Sequence, residues 1–270
     1  MKNTLLPMKG SPDYLWLHIR DLPYFRALLR SIEARFYQDI DLPRPVLDLG
    51  CGDGHFSSVA FDQQLTVGID PWWNSLQEAI RRDIYYYLIQ AQGGNIPFAD
   101  ESFSSAMSNS VLEHIPALHP VLTEVARILR RDAPFIFCVP NHNFLRSLSI
   151  GRTLNRFRLP GIANAYRSFF NRISRHYHCD PPDVWNERLK LAGFSIERMW
   201  HYFSPQALKI MEWGHYLGLP SLIIRWITGR WILFPKRGNL ALTYRMLHPY
   251  FESDPVCENG VYTFYIARKL

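Results

Sequence analysis

The sequence predicts an α/β protein built on a mainly parallel sheet with helices on both faces, and three observations predict it. Short apolar strands alternate with helical stretches from Val46 onward. A glycine-rich turn, Gly50-Cys51-Gly52-Asp53-Gly54, follows the first of those strands. An acid, Asp70, closes the second.

The elements follow in order. Residues 12–38 read as helical, with apolar and aromatic side chains set among His18, Arg20, Arg26 and Arg30. Pro43 and Pro45 stop that helix, so residues 1–44 form an N-terminal helical cap. Within it, Tyr14, Trp16 and His18 either close over a ligand or simply pack on the sheet. A core over 45–140 carries strands at Val46–Leu49, Leu65–Ile69, Tyr85–Ile89, Ser105–Ser108 and Phe135–Val139. Helices fall at Ser75–Arg82 and Val121–Arg130. The alternation breaks over 141–183, a basic insertion. It resumes over 184–202 with a helix at Val184–Ala192, a stop at Gly193 and a strand at Phe194–His201. A second, apolar insertion covers 203–258, and Val261–Ala267 supplies a last strand within 259–270.

Composition narrows the classes. A chain of 270 residues, 47% hydrophobic and 20% charged, buries a sizeable core and is not a disordered or fibrous chain. The four cysteines, Cys51, Cys138, Cys179 and Cys257, form no CxxC pair, so neither a zinc site nor a disulfide framework is expected. Reduced thiols in a cytoplasmic protein are the simpler expectation. The first 16 residues lack the long apolar run of a signal peptide. The most apolar stretch, Leu217 to Phe234, is interrupted by Pro220, Arg225 and Arg230, which argues against a spanning helix.

The most specific signal is VLDLGCGDGHF, residues 46–56. A buried strand ends in Asp48, and the glycines permit a tight turn against which a ligand can approach the backbone. That turn lies at the carboxyl end of a strand, where open α/β sheets bind ligands. Asp70 follows Gly52 by 18 positions, in TVGIDP, and a carboxylate there can accept both hydroxyls of a ribose. Gly-Cys-Gly-Asp-Gly lacks the Gly-x-Gly-x-x-Gly spacing of a dinucleotide site.

VLDLGCGDG resembles motif I of the class I methyltransferases that use S-adenosylmethionine (SAM). The resemblance continues through Ile96-Pro97-Phe98, Ser102-Phe103, Leu112-Glu113-His114 and the Ala-Gly-Phe that ends a late helix. It covers roughly residues 44–140, with support from 184–201 and the last strand. It implies a Rossmann-like sheet of seven strands, mostly parallel with the last antiparallel. It also implies SAM as cofactor and S-adenosylhomocysteine as product. Asp48, Gly50, Cys51 and Gly52 would wrap the methionine end of SAM. Asp70 would take the ribose, and Pro71 and Trp72 would flank the adenine. Gln92 stands where the family often has an Asp reaching the adenine amino group, and a Gln carbonyl can still accept that bond. Gly93 and Gly94 leave backbone room beside the ring. Asn109, Ser110 and Val111 would line the methyl-transfer channel.

A SAM methyl is already activated, so the protein must hold a nucleophile in line with it and, for a protonated nucleophile, place a base nearby. Candidate bases are His114, His142 after the fifth strand, and His178 in RHYHCD, beside His176. His176, His178, Cys179 and Asp180 are an alternative metal set, but no metal is expected because no further ligands stand out.

Acceptor class is the open question. Arg146, Arg152, Arg156, Arg158, Arg167, Arg172 and Arg175 occur with no Asp or Glu between 145 and 178, among bulky apolar residues. Trp226 and Trp231 sit beside Arg225 and Arg230 in the second insertion. A small-molecule acceptor is the leading reading. A lipid, isoprenoid or lipid-linked acceptor at a membrane surface is the first alternative. RNA ranks below both, for lack of a binding motif, and a non-catalytic binding module is a further alternative.

Overall fold

A computed structural model of the chain describes residues 12–270; the opening segment of the predicted cap, and the signal-peptide question with it, lie outside the described residues. Two helices come first, α1 (Tyr14–Ile19) and α2 (Tyr24–Phe36). The single helical run expected over 12–38 is thus broken. Pro23 is the cause, because a proline disfavours helical backbone at the preceding residue and cannot donate an amide bond.

The sheet forms next, with β1 (Val46–Leu49), β2 (Leu65–Asp70), β3 (Tyr85–Gln90), β4 (Ser105–Asn109) and β5 (Pro134–Pro140). Helices α3 (His55–Ala60), α4 (Trp73–Ile80) and α5 (Leu118–Ile128) connect them. Short helices α6 (Asn143–Ser147) and α7 (Ser149–Arg156) and the longer α8 (Pro160–Ser174) follow. Helix α9 (Pro182–Leu191) and β6 (Phe194–Tyr202) return to the sheet. Then come α10 (Pro205–Leu217), α11 (Leu219–Thr228), α12 (Arg237–Glu252) and β7 (Tyr262–Lys269).

The seven strands lie in the order β3-β2-β1-β4-β5-β7-β6. Strands β1 to β5 are parallel, and β7 is antiparallel to both β5 and β6. This is the seven-stranded sheet that the resemblance implies, antiparallel last strand included. Its central strands β1, β4 and β5 are buried along their whole length; β5 is accordingly apolar throughout, whereas the buried Asp48 of β1 and Ser105, Ser108 and Asn109 of β4 are hydrogen-bonded. One face is covered by α1, α2 and α10, through Leu28, Ile32, Met211 and the strand residues Ile136 and Phe264. The other is covered by α5 and α9, through Leu122, Val125, Trp185 and Leu189.

The insertions are tied down by one buried carboxylate. Glu212 of α10 accepts from the amides of Ser149 (2.6 Å) and Ile150 (3.1 Å) at the start of α7. It also accepts from the Tyr166 hydroxyl of α8 (2.6 Å). Amides at a helix start have no partner within the helix, so a carboxylate from another element satisfies them and fixes the two insertions together. The strand order reverses between β1 and β4, and that switch point opens the cleft described next.

Candidate active site

The glycine loop runs from β1 into α3 with Gly50, Gly52 and Gly54 all at positive φ (76°, 56° and 69°). At Gly50 a Cβ would collide with the Val111 side chain. Around Gly52 nothing stands within 4 Å of an added Cβ, so its backbone faces open space. That space is a cleft of about 350 Å³. Asp48, Gly50, Cys51 and Gly52 line it, as do Asn109, Ser110, Val111 and His114.

Asp48 is buried and accepts from Ser57 Oγ (2.7 Å) and the Tyr85 hydroxyl (2.6 Å). Burial pushes its carboxyl up to about 6, against the lowering effect of those two bonds. A cation in the cleft would hold it ionised. Asp70 is also buried, and burial raises its carboxyl above the usual range. Its two oxygens accept the amides of Gly52 (3.0 Å) and Trp72 (2.9 Å). The carboxylate therefore braces the loop, and each oxygen keeps a lone pair for a ribose hydroxyl.

Asp70 and the remaining cofactor candidates, Pro71, Trp72, Gln92, Gly93 and Gly94, are not among the residues that line the cleft. Trp72 is 72% exposed beside it, an open indole face after β2. Gly93 is a packing position, because a Cβ there would press on Leu49 and Val121, both at 3.1 Å. Gln92 and Gly94 are exposed, and Pro71 accepts from Gln90 through its carbonyl (3.0 Å).

The cap contributes more than its aromatics. Tyr14 and His18 are buried, with His18 Nδ1 3.1 Å from His55 Nε2, and Trp16 lies beneath the Arg237 guanidinium. The cap residues that line the cleft are Leu22, Arg26 and Arg30. Glu33 holds Arg30 in place. It accepts from Arg30 (2.6 Å), Asn109 Nδ2 (2.7 Å), Ser110 Oγ (3.1 Å) and the Tyr202 hydroxyl (2.8 Å). One carboxylate thus joins α2, β4 and β6 under the floor of the cleft.

A second chamber of about 360 Å³ adjoins the first and shares Arg26, Arg30, Ser110 and His114 with it. Phe25, Phe144 and Tyr262 wall it, and Glu113, Arg175 and His176 add polar groups. Glu113 is 1% exposed, with Oε2 unpartnered and Oε1 3.8 Å from His114 Nε2. Burial pushes its carboxyl up to about 8. Burial also holds His176 down at about 3 and lowers His114. His114 Nδ1 lies 3.0 Å from the Arg175 carbonyl, which can only accept, so Nε2 carries the free lone pair.

Of the three histidines expected as bases, only His114 reaches either chamber. His142 caps α6, its Nδ1 buried without a partner and its ring 6.2 Å from that of His201. His178 turns to the Ile115 carbonyl (3.0 Å) and to Asp180 (3.4 Å). The set His176, His178, Cys179 and Asp180 thus does not converge. Glu113, His114 and His176 do place one ligand atom each within 4.8 Å of one another. Arg26, Arg30 and Arg175 in the same chamber set a positive field that opposes a cation.

Arg26, Arg30 and Glu113 were the residues that sequence reasoning passed over. Arg26 and Arg30 are four apart on one helix and so share a face, a spacing that could have marked them. Glu113 stood in plain view inside Leu-Glu-His, but its burial is not a property of its neighbours in sequence.

The sheet order, the glycine loop at its switch point, Asp48 in β1 and Asp70 ending β2 agree with the resemblance to class I SAM-dependent methyltransferases. Residues 47–137 match the family model described as a methyltransferase domain. That segment is about a third of the chain, and SAM is the cofactor that the methyltransferase domain and the SAM-bound structural neighbour support.

Among curated relatives, the chain is 25% identical over 130 residues to a malonyl-[acyl-carrier protein] O-methyltransferase of Legionella pneumophila, covering 44% of this chain and 46% of that one. It is 30% identical over 88 residues to an uncharacterized methyltransferase of a Mycobacterium species, covering 32% and 35%. The matched region therefore spans less than half the length of either relative. Among solved structures, a SAM-dependent methyltransferase of Thermotoga maritima is similar in fold, with TM-score 0.54 at 14% identity over 91% of this chain and 90% of that one. So is the phosphoethanolamine N-methyltransferase 2 of Haemonchus contortus, in complex with SAM, with TM-score 0.54 at 16% identity over 95% and 56%.

Gly52→Val is expected to weaken SAM binding at least about tenfold, because a β-branched residue strains the left-handed backbone and projects into the cleft. Calorimetric titration with SAM checks this, and wild-type affinity in the variant would move the cofactor away from the loop.

Proposed function

We propose that the protein methylates a small molecule that carries an anionic group and a protonated oxygen or nitrogen nucleophile, held in the second chamber. The observation that carries this reading is the pair of adjoining chambers with a common wall of Arg26, Arg30, Ser110 and His114. Bound SAM supplies a methyl group already activated on a sulfonium. Asp48 and the glycine loop bind and orient it from the first chamber, with Asp70 bracing the loop at Gly52. The two chambers share Ser110 and His114 as well as the two arginines, which supports transfer at that common wall.

Arg26 is the group for the acceptor's anion. It has no carboxylate partner among the described residues, and its exposed side chain lines both chambers, free to bond an anion there. The Legionella relative is named for O-methylation, which agrees with an oxygen nucleophile. Phe25, Phe144 and Tyr262 exclude water, and Glu113 takes the proton from the nucleophile, with His114 and His176 neutral beside it.

Calorimetric titration of the protein with SAM, S-adenosylhomocysteine and NAD tests the cofactor half. Saturable binding of the first two and none of NAD is expected. Arg26→Ala tests the acceptor half. SAM affinity is expected to stay within about twofold while acceptor KM rises roughly tenfold or more, the loss of one charge-assisted bond. A matching loss of SAM affinity would assign Arg26 to the methionine carboxylate instead.

A further inference from the structure

Helix α11 borders the cleft through Arg225, with one side fixed and the other bare. On the fixed side, Arg225 bonds Glu78 of α4 at 3.1 Å and lies over the Trp231 ring at 4.9 Å. On the bare side Leu222, Ile223, Trp226 and Ile227 share a face, and Trp226 is 86% exposed. Leu233 and Phe234 extend that exposed apolar surface past the helix. The opposite lip of the cleft shows the same character, for α8 exposes Ile162, Phe169 and Ile173. Both lips belong to one opening, because Arg225 and Trp231 line the cofactor chamber while Ile173 and Arg175 line the second.

Charge says what covers this surface. No Asp or Glu occurs at 133–179 or at 213–251. Exposed Arg152, Arg156, Arg172, Arg230 and Lys236 have no carboxylate partner among the described residues. A second copy of the chain would bring like charges together, which disfavours self-association. An anionic bilayer meets both needs at once, since its interior takes Trp and aliphatic side chains and its headgroups take the cations. No helix among the described residues is long and apolar enough to cross a membrane, so the contact is with the surface.

We propose that the α11 face with Leu233 and Phe234, flanked by α7 and α8, docks the protein on an anionic lipid bilayer and sets the mouths of both chambers at its surface. This goes beyond the methyl-transfer reading and stands or falls separately from it.

The test is co-sedimentation with vesicles of phosphatidylcholine, with and without phosphatidylglycerol, by wild type and by the pair Ile223→Glu, Trp226→Glu. Neither residue lines a chamber, so calorimetric SAM affinity should be the same in both proteins and serves as the folding control. Wild type should bind the phosphatidylglycerol vesicles. Binding should fall at least about tenfold in the variant, and should also fall as salt is raised, through screening of the basic residues. No vesicle binding at low salt overturns the proposal, as does equal binding by the two proteins. A wild-type dimer in sedimentation velocity that the variant breaks would give the face to a second copy. Loss of vesicle binding with SAM binding intact leaves methyl transfer untouched.

Discussion

Glu113→Gln is expected to lower kcat by roughly 10²–10⁴-fold, the usual contribution of a positioned proton acceptor, while leaving SAM affinity at the wild-type value. Gln keeps the shape and loses only the capacity to take a proton. Glu113 does not line the cofactor chamber, so binding should not follow kcat down. The pH dependence gives a second signature. Burial holds the carboxyl at about 8, so near neutrality most molecules carry it protonated and unable to act. With a competent acceptor, wild-type kcat/KM should rise with pH up to about 8 and then level, and the variant should lose that rise. A variant that keeps both rate and profile would remove Glu113 from proton transfer.

The same group makes a statement about stability. Its proton is bound more tightly in the folded state than in the unfolded one, where the ordinary glutamate value applies. Protonation therefore favours the fold, fully at pH below that ordinary value, and the benefit is lost as pH rises through about 8. Gln is neutral throughout, so the variant should gain on wild type in urea denaturation as pH rises across that window. A difference independent of pH would show that Glu113 is not a buried, unpartnered acid.

Glu33→Ala is expected to cost about 3–5 kcal/mol of folding stability, the range seen when one partner of a buried ion pair is removed. The loss is not one bond but five, since Arg30, Asn109, Ser110, Tyr202 and the Cys138 thiol all donate to this carboxylate. Tyr202 and Asn109 are buried and would be left unsatisfied. Arg30 would also lose the anchor that aims it into the cleft, so SAM affinity should fall with stability. Urea denaturation and calorimetry on the same preparation check both. A loss under about 1 kcal/mol would mean that water replaces the carboxylate and that the junction of cap and sheet does not rest on it.

The parallel core was legible because its information is local. Strand β1 came out at Val46–Leu49 as read, and β2 to β5 and α9 fell within a few residues of expectation. Buried parallel strands need continuous apolar runs, and glycines at positive φ punctuate them; both are visible in a linear string. The conformation of the glycine loop was readable for the same reason. The cap was not, because whether Pro23 splits one helix into two depends on what each half packs against. Nor was Glu33 recognisable as the link between cap and sheet, since its partners Asn109 and Tyr202 lie 76 and 169 residues away.

The histidines show the limit most plainly. By residue type, His114 and His142 after strands and His178 in the basic insertion were all candidates for a base. The fold brings His114 to both chambers, gives His142 to the cap of α6 and turns His178 to the Ile115 carbonyl. By itself the sequence determined the sheet, the glycine loop with Asp48 and Asp70, and hence the cofactor, because backbone conformation and strand burial are written into consecutive residues. Only the tertiary structure decided that Arg26 and Arg30 face the cleft, that Glu113 is stripped of water, and that two basic, apolar insertions meet at one opening. Those are properties of which surfaces come together, and desolvation and convergence exist only once they have.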